Sequence, residues 1–133
     1  MRLPIFLLAL SSASIVFSLD PVPEEYANVP KEFFEKFQAA IKSGDPVAVV
    51  DLFAPDDMLP VSGMIEAAQG IIKSFESYPT GIIERVRYEY GVIQINVRYY
   101  PNTPLLSKKT TIFKIKYENK WKGWTMVHFS DWM

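Results

Sequence analysis

The sequence predicts an α+β fold in which three N-terminal helices pack on one face of a curved antiparallel sheet, and three observations predict it. Between Pro30 and Phe75 apolar residues recur at helical spacing in three separate stretches. From Ile82 to Phe129 the chain instead passes through four segments of β-favouring residues, broken at Tyr90-Gly91, at Pro101 to Ser107 and at Asn119-Lys120. Helices first and strands afterwards, without alternation, is the α+β order, in which the helices gather on one side of the sheet.

The chain opens with Met1-Arg2 followed by an apolar run, Leu3 to Phe17, that ends in small residues, Val16 and Ser18. The run is shorter than the roughly 20 apolar residues a bilayer span needs. One basic residue, an apolar centre and a small-residue end describe a secretory signal peptide over residues 1–18, so the expected location is extracellular. Residues 19–29, with Pro21 and Pro23, read as an extended arm, because neither proline lets a helix propagate through it. Residues 30–133 then form the domain.

Phe33, Phe34, Phe37, Ala40 and Ile41 make the inward stripe of the first helix, opposite Lys31, Glu35, Lys36 and Lys42, and Gly44 stops it. Asp45-Pro46 restarts a helix, with Asp as N-cap and Pro in the first turn, expected to run to Phe53. Residues 54–63 are turn-rich, with room for a very short strand at most. Met64, Ala67, Ala68, Ile71, Ile72 and Phe75 form the stripe of the third helix.

Total charge is −1, which points to neither a nucleic acid nor, once the leader is gone, a membrane partner. The charge is unevenly spread: residues 19–81 carry 11 acidic against 4 basic residues, and residues 82–133 carry 4 against 9. There is no Cys, so packing alone must hold an exported chain of this size.

Phe33-Phe34-x-x-Phe37, Lys42-Ser43-Gly44-Asp45-Pro46, Asp51-Leu52-Phe53-Ala54-Pro55-Asp56, a third helix and a strand meander containing Lys120-Trp121-Lys122 give the chain its resemblance to a known family. It resembles the nuclear-transport-factor-2-like superfamily, and within it the small secreted, uncharacterised members of nematodes. The resemblance spans roughly residues 30–129 and implies a cone-shaped α+β fold whose helices and sheet enclose a pocket, often in a dimer formed through the outer sheet face. Members include isomerases, dehydratases, epoxide hydrolases and non-catalytic binders, so the fold by itself carries little about function.

Side chains alternate faces along a strand, so hairpin register decides which residues share the pocket. With two-residue turns at Tyr90-Gly91 and Asn119-Lys120, and Tyr100 opposite Lys108, the inner face reads as two apolar rows: Tyr88, Ile93, Ile115, Trp124, and Val86, Ile95, Phe113, Met126. A polar row follows, Glu84, Val97, Thr111 and His128, with Ile82, Tyr99 and Lys109 beyond it. The outer face carries Arg85, Arg87, Arg98, Lys114, Lys116 and Lys122 among Gln94, Asn96, Ile112 and Val127.

That register predicts a pocket with an apolar floor and a polar mouth. Its expected ligand contacts are Tyr88, Tyr99, Phe113, Trp124 and Met126, rings and a thioether suited to a small apolar ligand, although such residues in a small domain are commonly plain core. Glu84 and His128 are the candidate catalytic pair, a carboxylate and an imidazole able to exchange protons. On strands one and four they stand about 14 Å apart at ~4.8 Å per strand, so they would act from opposite sides of a ligand. Asp51 on the second helix is a lesser candidate base. Asp56-Asp57 lack companions at cation-ligand spacing, and with one His and no Cys neither a metal site nor a cofactor is expected.

The reading that follows is a secreted, non-catalytic binder of a small apolar ligand. Its alternatives are a lyase or isomerase using Glu84 and His128, and an interaction or homodimerisation module using the basic outer face.

Overall fold

The structure is a computed structural model and describes residues 22–55 and 60–132. The leader, the start of the arm and Asp56-Asp57 lie outside the described residues. After Pro23 the arm is not extended as expected. It coils into a single 3₁₀ turn, Glu24–Tyr26, with the Tyr26 and Ala27 amides donating to the Pro23 and Glu24 carbonyls. No proline intervenes between Pro23 and Pro30, so the backbone amides needed for a turn are present.

Helix α1, Val29–Ser43, begins with Pro30 in its first turn and ends at Gly44, whose φ of 70° is the left-handed conformation that glycine adopts without a Cβ clash. Helix α2, Pro46–Val50, is capped by Asp45, whose carboxylate accepts the Val47 amide at 3.0 Å. It stops three residues earlier than the sequence suggested. Three valines in five residues favour extended backbone, and the chain beyond pairs instead with a strand: Met126 donates to the Leu52 carbonyl at 2.7 Å and Ala54 donates to the Met126 carbonyl at 2.9 Å. Helix α3, Val61–Ser74, follows.

Strands β1, Thr80–Glu89, β2, Val92–Tyr100, β3, Lys109–Asn119, and β4, Gly123–Trp132, form one antiparallel meander in the order β1-β2-β3-β4. The Tyr90-Gly91 turn is as expected, with positive φ at both residues and Glu89 opposite Val92. The middle connection also holds, with Tyr99 opposite Lys109.

The last turn differs. Asn119 pairs with Gly123, leaving a three-residue loop, because the Asn119 side-chain carbonyl accepts the amides of Trp121 and Lys122 at 2.9 and 2.8 Å while Gly123 takes a φ of 72°. Trp124 and Met126 keep their inward faces but move along the sheet to stand opposite Tyr117 and Ile115.

The concave face is filled rather than hollow. Phe37 of α1 is fully buried at its centre, with its ring centroid 4.7 Å from Phe113, 5.8 Å from Phe75 and 6.0 Å from Phe129. Ile93, Ile95, Val97 and Ile115 are buried beneath the helices.

The end expected to be a polar mouth is closed as well. Tyr99 is buried against Phe75, its hydroxyl 2.8 Å from the Gln38 side-chain carbonyl. Lys109 is 3 % exposed, its ammonium donating to the Ser74 carbonyl at 3.1 Å and lying 4.3 and 4.6 Å from the ring centres of Phe75 and Tyr78.

Candidate functional site

Of three register shifts in the sheet, the one at Glu118 beside the last turn keeps Trp124 and Met126 inward, and the other two reset which candidate residues face inward. In β1, Ile83 pairs with Val97 and Arg85 with Asn96, so Glu84 is an extra residue without a cross-strand partner. Ile83 takes the inward place assigned to Glu84, and Ile82 turns outward. The Glu84 carboxylate reaches over the outer face to the Arg98 guanidinium, with Nε–Oε2 at 2.8 Å and Nη2–Oε1 at 3.3 Å. Both side chains are more than a third exposed, so this is a surface pair contributing at most about 1 kcal/mol.

In β4, Met126 pairs with Ile115 but His128 pairs with Lys114, leaving Val127 as the extra residue. Phe129 therefore turns in against Phe113, at 5.7 Å, and His128 turns out beside Lys114. The candidate pair thus does not share a pocket mouth. Two extra residues, Glu84 in β1 and Val127 in β4, carried it to the other face. Asp51 is exposed at the end of α2.

The expected ligand contacts separate in the same way. Tyr99 and Phe113 are core, with no exposed surface. Tyr88 and Trp124 are partly buried under Tyr26, 6.2 and 5.1 Å away, so the N-terminal turn occupies the place intended for a ligand. Met126 alone of the five borders a cavity.

That cavity, about 580 Å³, lies to the side of the sheet, where α3 stands off from the outer edge of β4 beside its pairing with Leu52 to Ala54. Met64, Ala67, Ala68 and Ile71 of α3 form one wall. Val50, Phe53, Ala54 and Pro55 form the second, and Met126 to Phe129 the third. The sequence stripe of α3 read as core, yet Ala68 is the one fully buried residue in that helix. The helix lacks a large residue at 67 and 68 to reach the strand, and the space remains. Four consecutive β4 residues line the wall because the cavity meets the strand at its edge, seeing both faces at once. Among the described residues, His128, exposed at the rim, is the one titratable side chain in the lining.

The signal that could have located this site was present: a helix stripe of small residues facing a segment, 52–54, too short to be a strand. It could not be weighed without knowing that Leu52 to Ala54 pair with Met126.

No family model and no curated protein matches this chain. Solved structures do. A putative calcium/calmodulin-dependent protein kinase type II association domain from Thiobacillus denitrificans is similar with a TM-score of 0.59 at 12 % identity, covering 77 % of this chain and 92 % of that one. A second such domain, from Xanthomonas campestris, gives a TM-score of 0.53 at 16 % identity over 96 % and 98 %. An NTF2-like protein of unknown function from Shewanella baltica gives 0.54 at 14 % identity over 84 % and 98 %. At such identities the likeness concerns the fold: three helices on a four-stranded antiparallel sheet, as in NTF2-like structures.

Proposed function

We propose that this protein, exported after loss of residues 1–18, binds a small apolar molecule in the cavity between α3 and the β4 edge. The observation supporting this reading is the lining. A space of about 580 Å³ is walled by aliphatic and aromatic side chains, with one titratable group at its rim among the described residues, and it falls within the 300–1,000 Å³ usual for small-molecule sites. Burial of a hydrocarbon surface there is favourable by about 25 cal/mol per Å². Phe53 and Phe129 stiffen the floor, their rings 6.4 Å apart, while Met64 and Met126 adapt to shape. Binding without catalysis is the better reading, because Glu84 is engaged by Arg98 on the outer face and His128 has no acid or base partner at the rim among the described residues.

Ala67 is exposed and borders the cavity, so Ala67→Phe fills the space without disturbing the core. Titration of an environment-sensitive fatty-acid probe is expected to show saturable binding that weakens at least tenfold in Ala67→Phe. Equal binding by the two proteins would sink the assignment to this cavity.

A further inference from the structure

We infer that the hairpin-tip end of the sheet is a docking site for an anionic lipid surface. Two large aromatic side chains project there without packing on the domain: Tyr90, 93 % exposed in the β1–β2 turn, and Trp121, 85 % exposed in the β3–β4 loop. The meander places both turns at the same end, with β2 and β3 between them.

Tyr90 also holds a φ of 52°, a left-handed conformation that asparagine or glycine adopts at lower cost. The fold obtains no packing from this tyrosine in return, so the choice of residue answers to something outside the domain.

Between the tips, the outer face carries cations. Arg87, Gln94 and Lys114 form one row, with Lys116 beside Val92 in the next. A depression of about 240 Å³ opens beside Tyr90, with Arg87 and Lys114 in its lining together with the Glu89 carboxylate. Lys120 and Lys122 flank Trp121, and the Lys120 ammonium lies 4.7 Å from the indole ring centre. Among the described residues the ion pair on this face belongs to Arg98 and Glu84, away from these cations. Five cations thus stand against Glu89 and Glu118 around the tips. The near-zero total charge that argued against a membrane partner averages this patch with an acidic helical half.

A soluble polyanion would be satisfied by the cations alone. Protruding Trp and Tyr rings with one polar atom each, ringed by lysines, match the water–hydrocarbon interface of a bilayer, where such rings settle at headgroup depth and basic residues are drawn to anionic lipid. A second copy of this chain on the same face would set Arg87 and Lys114 against their own equivalents. The inference stands apart from the cavity reading, and either can fail alone.

The test is co-sedimentation of the protein from Leu19 onward, which retains every described element, with vesicles of phosphatidylcholine alone or with 30 % phosphatidylserine. Binding to the mixed vesicles is expected, weakened on raising salt and at least tenfold weaker in Trp121→Ala/Tyr90→Asn. Neither substitution removes core packing, and the second relieves the turn, so thermal unfolding at or above the wild-type temperature separates lost docking from lost fold. Lys114→Gln/Lys120→Gln is expected to lower binding while leaving fatty-acid probe titration unchanged. No sedimentation with mixed vesicles, equal binding by the aromatic double variant, or retention on a sulfated polysaccharide without vesicle binding would overturn the inference.

Discussion

Lys109→Met probes the buried ammonium that ties the end of α3 to β3. The wild-type Nζ donates to the carbonyl of Ser74, the last residue of α3, at 3.1 Å, and faces the rings of Phe75 and Tyr78 at 4.3 and 4.6 Å. Removing a charge-assisted hydrogen bond costs about 1.5–3 kcal/mol, and two water-excluded cation–ring contacts cost about 1–2 kcal/mol each. Methionine keeps the unbranched stem and returns about 1 kcal/mol through sulfur–ring contact. It also avoids desolvating an ammonium, which offsets a further few kcal/mol. The balance is a loss of about 2 kcal/mol, because the Ser74 carbonyl keeps its place at a helix end but loses its donor. In a domain of this size that lowers Tm by about 8 °C at ~4 °C per kcal/mol. Thermal unfolding followed by circular dichroism reads the shift, and hydrogen exchange at Glu76 and Tyr78 should quicken. A Tm equal to or above wild type would show that the cation is tolerated there rather than holding α3 in place.

Gly81→Ala should destabilise by about 1–3 kcal/mol through overpacking, because a Cβ at 81 would stand 2.6 Å from Cε1 of Tyr99 and 3.0 Å from Cζ of Phe34. Urea unfolding with unchanged slope but lower midpoint is the expected result, and an unshifted midpoint would mean that the two rings move aside freely. Tyr90→Asn should stabilise by roughly 0.5–1 kcal/mol, since asparagine tolerates the left-handed conformation of the turn. A fall in Tm would instead assign the exposed tyrosine a packing role.

Most elements were legible because their causes are local. The α1 stripe, the Asp45-Pro46 start, the Tyr90-Gly91 turn and the pairing of Tyr99 with Lys109 each depend on a few neighbouring residues and all appear in the structure. The outer face was legible for the same reason: Arg85, Arg87, Lys114 and Lys116 alternate with apolar residues at period two. His128 joined them unexpectedly.

The candidate site was far less legible. Its lining comes from the end of α2, the half-covered face of α3 and the β4 edge, which meet only in the folded chain. Of the residues expected there, Met126 borders it and His128 stands at its rim.

By itself, then, the sequence determined the order of helices and strands, the β1–β2 register from the turn back to Arg85, the β2–β3 register and the charge of the outer face. The tertiary structure decided which way Glu84 and His128 look, where space remains, and that Phe37 and Phe129 fill the centre. The physical reason is the bulge. One residue inserted at Glu84 and one at Val127 bend their strands locally, and each reverses the facing of the residues beyond it. Whether a strand takes such a residue depends on the helix it must wrap, which no local pattern within the strand records.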